Sequence, residues 1–139
     1  MSQSALLLDT CAAIWMAGGE PLSEEATQVL NASYGRGASV SISPISAWEI
    51  GLLAARGRLT LAVTPAAWFR RLLSIEEMRL EDLSVDALIA SSFLPGTPPR
   101  DPADRMIIAT AREAGLTIVT RDRLILDYAR AGFVAAIAC

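Results

Sequence analysis

Residues 101–122 read DPADRMIIATAREAGLTIVTRD, and this stretch decides the fold. Asp101 is a suitable N-cap for a helix that starts with proline, and Gly115 is a typical C-terminal stop. The helix between them is largely apolar, which predicts that it packs against a sheet. Residues 116–120 are mostly β-branched and predict a buried parallel strand, after which Asp122 follows directly. Because open parallel sheets bind ligands beyond the carboxyl ends of their strands, Asp122 is predicted to lie at a functional edge.

The rest of the chain alternates short apolar runs with helical segments in the same way. Strands are predicted at residues 5–8, 39–43 and 133–137, with a short edge strand at 79–83. Helices are predicted at residues 11–17, 23–34, 45–56, 66–75, 84–93 and 123–131. The pattern predicts an α/β protein with three layers, α/β/α, around a central, mostly parallel sheet of four to five strands. With 139 residues and no linker or repeat, we expect a single domain over residues 1–139.

The composition excludes several kinds of catalysis. The chain has no histidine, and all 12 of its basic residues are arginines. Ser-His-Asp triads, zinc sites with histidine ligands, Schiff-base lysines and the phosphate-binding lysine of P-loops are therefore absent. Carboxylates, hydroxyls and arginines remain as the chemically active side chains.

Charge and hydropathy restrict the partners less strongly. The net charge of −3 argues weakly against a broad nucleic-acid surface, unless several acids are gathered around a divalent cation. The hydrophobic content of 53% is explained equally well by a homodimer or protein partner and by a well-filled core. No apolar run reaches the length of a bilayer span and the N-terminus has no basic signal region, so we expect a cytoplasmic protein without membrane contact. Cys11 and Cys139 are expected to be reduced and packed.

Four aspartates lie at predicted helix starts. Each could be an ordinary cap or first-turn acid, and taken singly that structural reading is the better one. These residues are Asp9, Asp101, Asp104 and Asp122.

Glu49 has no such structural explanation. On the helix predicted at residues 45–56, its neighbours one turn away are Ile45, Leu52 and Leu53, so it projects from an apolar stripe. A buried carboxylate is costly unless it has a cation nearby or a raised pKa. The cation could be a metal ion or, in a purely structural arrangement, Arg105.

Asp9, Glu49, Asp104 and Asp122 are all expected near strand ends on one rim of the sheet. An all-oxygen ligand set without histidine or cysteine selects hard cations such as Mg²⁺ or Mn²⁺. Carboxylate clusters of this kind commonly hydrolyse phosphodiester bonds, because the metal activates water and offsets the charge of an in-line displacement.

At these residues the sequence resembles the PIN-domain ribonucleases, and more closely the VapC toxins of bacterial VapBC toxin-antitoxin pairs. The main matching segments are LDT at 8–10, ISPISAWEI at 42–50, DPADRMIIA at 101–109 and VTRD at 119–122. Residues 57–59 and 94–95 also match this subgroup. Each segment alone is weak evidence, but four in order at fitting separations make the resemblance specific across the chain. Relatives often carry histidine before the Arg-Asp-Pro segment, where this chain has Pro99, and no function of that histidine is carried over.

The resemblance implies a PIN-like fold, a Mg²⁺ or Mn²⁺ cofactor and endoribonuclease activity inhibited by a cognate antitoxin, with a toxin homodimer. It implies that the metal-binding and catalytic acids are Asp9, Glu49, Asp104 and Asp122. It also implies six auxiliary residues. Asp101 would be an additional acid or a helix cap, and Thr10, Ser46 and Thr120 would be hydroxyls that support the acids or simply cap helices. Arg105 and Arg121 would orient carboxylates or contact phosphate. Candidates for apolar partner contacts, or equally for ordinary core, are Trp15, Met16, Trp68 and Phe69.

Two other classes of protein are considered. A catalytically silent binding module on the same scaffold would act through its partner and would not need the metal. A phosphoryl-accepting receiver or haloacid-type phosphatase also has an Asp after its first strand. The absence of lysine, and of a second Asp two residues beyond Asp9, counts heavily against that last class.

Overall fold

The computed structural model describes residues 5–18, 23–35, 39–75 and 77–139. The strands are β1 (Leu6–Leu8), β2 (Val40–Ile42), β3 (Met78–Leu80), β4 (Thr117–Thr120) and β5 (Ala135–Ala138). The helices are α1 (Thr10–Ala17), α2 (Glu24–Gly35), α3 (Pro44–Ala55), α4 (Pro65–Leu73), α5 (Val85–Ala90), α6 (Pro102–Ala114) and α7 (Arg123–Arg130). The longest helix, α6, has 13 residues. No helix in the described ranges is both long and apolar enough to cross a membrane.

The five strands form one sheet in the order β3-β2-β1-β4-β5, and every pair is parallel. The predicted α/β class and the parallel sheet are thus confirmed. β1 lies at the centre, where Leu6 pairs with Val40 of β2 on one side and with Thr117 of β4 on the other. The alternating sequence at residues 39–43 suggests a half-buried strand, but all of β2 is buried because β1 and β3 flank it and helices cover both faces.

Helices pack against both faces of the sheet and produce the predicted three layers. Leu6 and Leu8 of β1 pack on one face with residues of α1, α2 and α4. Leu7 points to the opposite face and packs with residues of α6 and α7. Because successive side chains of a strand alternate between faces, the three consecutive leucines of β1 contribute to both halves of the core.

Some predicted boundaries differ from the observed ones. The edge strand occupies Met78–Leu80 rather than residues 79–83, and α5 ends at Ala90 rather than at Phe93. Ser91 closes α5, since its backbone N–H bonds the carbonyl of Ala87 and its hydroxyl donates to the carbonyl of Leu88. A serine that satisfies two carbonyls of the last turn ends the helix earlier than the apolar pattern suggests.

Candidate active site

The sheet has a reversal of strand order between β1 and β4, and the predicted acids lie at this point. From β1 the sheet continues through β2 to β3, whereas from β4 it continues to β5. Asp9 directly follows β1 and Asp122 lies two residues beyond β4. A crevice outside the carboxyl ends of the strands at such a reversal is the usual ligand site of a parallel α/β fold.

Asp9 is a buried carboxylate, only 3% exposed, and both of its oxygens are hydrogen bonded. One oxygen accepts the backbone N–H of Ala12 at 2.8 Å and thereby caps α1. The other accepts the hydroxyl of Thr120. The Thr120 oxygen also accepts the backbone N–H of Asp122 at 2.9 Å, so one buried hydroxyl connects the two acids that follow β1 and β4.

A second hydrogen-bond chain positions Glu49. The hydroxyl of Thr10 donates to the carboxylate of Glu49 and lies 2.8 Å from the hydroxyl oxygen of Ser46. A threonine hydroxyl has a single proton, so Ser46 must be the donor in the bond between the two hydroxyls. Thr10 and Ser46 are buried, and they hold the half-buried Glu49 of α3 toward the start of α1.

Asp104 lies in the first turn of α6, and its carboxylate accepts no hydrogen bond from the described part of the chain. The helix is capped instead by Asp101, which accepts the backbone N–H of Asp104 at 2.9 Å. Asp101 is exposed, whereas Asp104 is partly buried. Asp104 is therefore a partly buried carboxylate whose charge is not offset by a hydrogen-bond donor.

The acids raise one another's pKa. Burial, followed by the negative charges of Asp101, Asp122, Glu49 and Asp9, raises the pKa of Asp104 from 3.8 to about 8. Burial also raises the pKa of Glu49 and that of Asp9, although hydrogen bonds from the two threonines lower both in part. Four carboxylates thus act on Asp104, and together with it they form a cluster of five acids from four segments of the chain.

The donor chemistry of this cluster fits a hard divalent cation, because it offers carboxylate oxygens and one carboxylate without a donor. Across residues 5–18, 23–35, 39–75 and 77–139, however, no three acidic, histidine or cysteine side chains lie close enough together to form a ready-made metal site. The residues therefore fit the ion by the chemistry of their donor atoms.

The two arginines expected to orient carboxylates contact other groups. Nε of Arg105 donates to the carbonyl of Pro99 at 2.7 Å, and a terminal nitrogen lies 3.4 Å from the carbonyl of Ser91. Arg105 therefore does not form the structural ion pair with Glu49 that the sequence allowed. The raised pKa of Glu49 agrees with the expectation for a carboxylate without such a pair.

Arg121 stacks over the ring of Trp15, with its guanidinium carbon 3.6 Å from the ring centroid. Its Nε donates to the carbonyl of Cys139 at 2.9 Å. This arginine thus joins the segment after β4 to α1 and to the segment after β5.

Sequence reasoning missed Cys11 as a neighbour of the acids. Cys139 is buried as expected, but Cys11 is exposed, and the prediction that it is packed is wrong. Although Cys11 as a whole is exposed, partial burial of its thiol and the negative charges of Asp9, Glu49, Asp104 and Asp122 raise the pKa of Cys11 to about 11. Its position two residues after Asp9 in the first turn of α1 could have indicated this proximity.

The aromatic residues and the methionine that the sequence offers as partner contacts or as ordinary core pack partly against the core. Trp15, Met16, Trp68 and Phe69 are partly buried against the core cluster on the α1, α2 and α4 face. Among the described residues, the large apolar side chains with the highest exposed fraction lie elsewhere, on α3, on and after α5, and on α7. They are Trp48, Val85, Ile89, Phe93 and Leu124.

The fold and the site together define a parallel α/β domain with a rim of carboxylates, and comparison with known families assigns it. The sequence model of the PIN domain matches residues 6–131. The chain therefore belongs to the PIN domain family.

Within this family, the chain is 34% identical over 122 residues to Ribonuclease VapC22 of Mycobacterium tuberculosis (strain ATCC 25618 / H37Rv), a match that covers 86% of this chain and 88% of that protein. The fold is similar to VapBC2 from Rickettsia felis bound to a DNA fragment from its promoter, with a TM-score of 0.68 at 14% identity, covering 96% of this chain and 98% of the other. It is also similar to DNA-bound VapBC from Salmonella typhimurium, with a TM-score of 0.65 at 22% identity and 98% coverage of each chain. The resemblance to VapC-type proteins drawn from the sequence is confirmed.

Proposed function

We propose that the protein is a Mg²⁺- or Mn²⁺-dependent endoribonuclease and the toxin of a toxin-antitoxin pair. Residues 1–139 would act as one PIN-like domain. The similarity to a ribonuclease of the VapC group supports RNA as the substrate. The carboxylate rim supports hydrolysis of the phosphodiester bond with a metal ion.

One observation carries the metal dependence, namely the carboxylate of Asp104. It is partly buried, lacks a hydrogen-bond donor within the described chain and is surrounded by four other acids. Burying a charge among like charges is unfavourable, so such a group is retained at a site where a cation offsets it. The chain has no histidine or lysine, and no arginine in the described residues forms an ion pair with Asp104, so a metal ion is the best candidate for that cation.

We assign metal binding to Asp9, Glu49, Asp104 and Asp122. A bound Mg²⁺ or Mn²⁺ would lower the pKa of a water molecule and stabilise the charge that develops on the phosphate. Thr120 would hold Asp9 and Thr10 would hold Glu49 in the orientations that their hydrogen bonds define. Ser46 would donate to the hydroxyl oxygen of Thr10, so that the hydroxyl proton of Thr10 points to Glu49. Asp101 would add negative charge at the edge of the site.

The proposed protein partner is inferred from the similar solved structures. The Rickettsia and Salmonella structures are VapBC complexes, which supports a cognate antitoxin for this chain as well. We further propose a homodimer and a cytoplasmic location, where RNA and antitoxin are both present. The exposed apolar side chains on α3 and α5 are available for such contacts.

The decisive experiment is cleavage of total cellular RNA by protein purified free of antitoxin. We expect discrete fragments in Mn²⁺ or Mg²⁺ and none in EDTA. Asp9→Ala and Asp104→Ala should abolish cleavage, whereas Asp82→Asn, in the exposed loop after β3, should leave it intact. Equal cleavage by the Asp104→Ala and wild-type proteins would refute the assignment.

A catalytically silent binding module remains the second candidate, and one finding favours it. Asp9, Asp101 and Asp122 each cap a helix, which gives them a structural function without metal. Isothermal titration with Mn²⁺ separates the two candidates. The nuclease should bind Mn²⁺ and its Asp9→Ala variant should not, whereas a binding module would show no such difference.

A further inference from the structure

A groove of about 650 Å³ lies beside the acids, between residues 96–101 and helix α7. Asp101 lines the groove, caps the helix that carries Asp104 and adds its charge to those that act on Asp104, so the groove adjoins the carboxylate cluster. Leu124, Asp127 and Tyr128 of α7, the helix that Asp122 caps, form another wall. The groove is therefore bordered by residues that cap or belong to the two helices whose N-terminal ends carry Asp104 and Asp122.

The walls of the groove are held in place by specific contacts. The hydroxyl of Tyr128 donates to the carbonyl of Pro95, and Nε of Arg105 donates to the carbonyl of Pro99 at 2.7 Å. The rings of Tyr128 and Phe133 stack with centroids 5.0 Å apart. The loop of residues 95–99 is thus hydrogen bonded at one end to α7 and at the other end to α6, and both helices pack on the sheet. A groove with walls fixed in this way is preformed, as ligand sites usually are.

The lining combines an apolar wall with one available cation. Leu124 lines the groove and is 59% exposed. Of the two acids in the lining, Asp127 is paired with Arg130, which leaves Asp101 at the end near the site. Arg100 is exposed, and in the part of the chain that the structure describes it has neither a hydrogen bond nor an ion pair. Proteins that bind single-stranded nucleic acid hold the backbone with cationic groups and the bases on apolar, mostly aromatic, surfaces. Arg100 and Leu124 offer one group of each kind in this groove.

We propose that this groove binds the nucleotide of a single-stranded RNA that neighbours the cleaved phosphodiester, with Arg100 contacting a backbone phosphate and Leu124 contacting the base. The inference rests on the proposed function, since it takes RNA as the substrate. It adds a subsite and two residues outside the carboxylate rim. A duplex is disfavoured because its bases are stacked and cannot reach an apolar wall.

The test measures binding of a short, fluorescently labelled single-stranded oligoribonucleotide of mixed sequence in Mg²⁺. The Asp104→Asn background separates binding from cleavage. Arg100→Gln should raise Kd about 3- to 10-fold and reduce the slope of log Kd against log salt by about 0.7, as expected for one lost phosphate contact. Leu124→Ser should raise Kd about 3-fold with an unchanged slope, because no charge is removed.

Arg70→Gln is the matched control. Arg70 is exposed near the end of α4, and α4 leads into the amino end of β3, at the edge of the sheet opposite the acids. Its Kd and salt slope should equal those of the background protein. Both groove variants alter exposed side chains, so circular dichroism should confirm unchanged folding.

The outcomes separate this inference from the proposed function. If the wild type cleaves RNA but both groove variants bind the oligoribonucleotide as Arg70→Gln does, the subsite is refuted and the nuclease stands. If the wild type does not cleave, the nuclease is refuted, and weaker binding by both groove variants still supports the groove. If the background protein does not bind the oligoribonucleotide, the groove proposal is refuted.

Discussion

Replacing Asp104 with asparagine should stabilise the metal-free protein. The carboxylate has a pKa of about 8 in the folded chain against an ordinary value of 3.8. Since one pKa unit corresponds to about 1.4 kcal/mol, the full difference would be about 6 kcal/mol. Asp104 is partly exposed and shares its charge repulsion with four other acids, and a negative charge in the first turn of α6 is favourable by about 0.3–1 kcal/mol. We therefore expect a net gain of about 1–3 kcal/mol at pH 8.

The sign of the pH dependence follows from proton linkage. Between about pH 4 and pH 8 the folded chain holds a proton on Asp104 that the unfolded chain has released, so the stability of the wild type falls as pH rises through this window. Asparagine does not titrate, so Asp104→Asn removes this pH-dependent loss of stability. The advantage of Asp104→Asn should therefore be small near pH 4 and largest at pH 8 and above.

The assay is thermal unfolding in EDTA at several pH values, with Asp82→Asn as the control for removing an exposed charge. At about 3 °C per kcal/mol, Asp104→Asn should raise Tm by about 3–9 °C at pH 8, and Asp82→Asn should leave it nearly unchanged. Added Mn²⁺ should raise the Tm of the wild type more than that of Asp104→Asn. A Tm for Asp104→Asn that is unchanged or lower at pH 8, or a gain independent of pH, would refute the reasoning.

Three further predictions concern the surroundings of the acids. Thr120→Val keeps the shape of the side chain but removes the hydroxyl that donates to the carboxylate of Asp9 and accepts the backbone N–H of Asp122. The free energy of unfolding, measured in urea, should fall by about 1–3 kcal/mol, and Mn²⁺ binding should weaken. Unchanged stability would contradict these hydrogen bonds. Gly96→Ala should destabilise the protein by at least about 1 kcal/mol more than Gly115→Ala, because both glycines have positive φ but only at position 96 does the added Cβ lie 2.4 Å from the ring of Phe133. Cys11 should react with iodoacetamide far more slowly than a free thiol at pH 8 in EDTA, and faster once Mg²⁺ offsets the acids; a rate insensitive to Mg²⁺ would contradict that proximity.

The fold could be predicted from the sequence because its signals are local. The Asp-Pro start of α6, its Gly115 stop and the β-branched run of β4 each act through neighbouring residues, and all three are found in the structure. The order of the strands depends on pairing between distant segments, such as Leu6 with Thr117, and no local pattern contains it. The structure supplies that order, β3-β2-β1-β4-β5.

The acids could be named from the sequence, but their connections could not. Two examples are the hydrogen bonds of the Thr120 hydroxyl to Asp9 and Asp122 and the hydrogen bond from Arg105 to the carbonyl of Pro99. These contacts depend on which groups meet in the folded chain. Arg105 donates to the backbone carbonyls of Pro99 and Ser91, and no ion pair joins it to Glu49, which is the structural alternative that the sequence left open. Cys11 was overlooked since an apolar context in sequence does not reveal which face of a short helix is exposed.

The distribution of the acids along the chain has a consequence for synthesis. β1 and β4 are adjacent in the sheet although Leu6 and Thr117 are separated by most of the sequence, and Asp9 shares a hydroxyl with a residue that follows β4. A nascent chain that has not yet released β4 from the ribosome lacks both Asp122 and the central strand pairing. The carboxylate centre is therefore assembled only after the residues up to Asp122 have emerged and folded, because the part of the chain before β4 contains neither the central strand pairing nor the hydroxyl of Thr120.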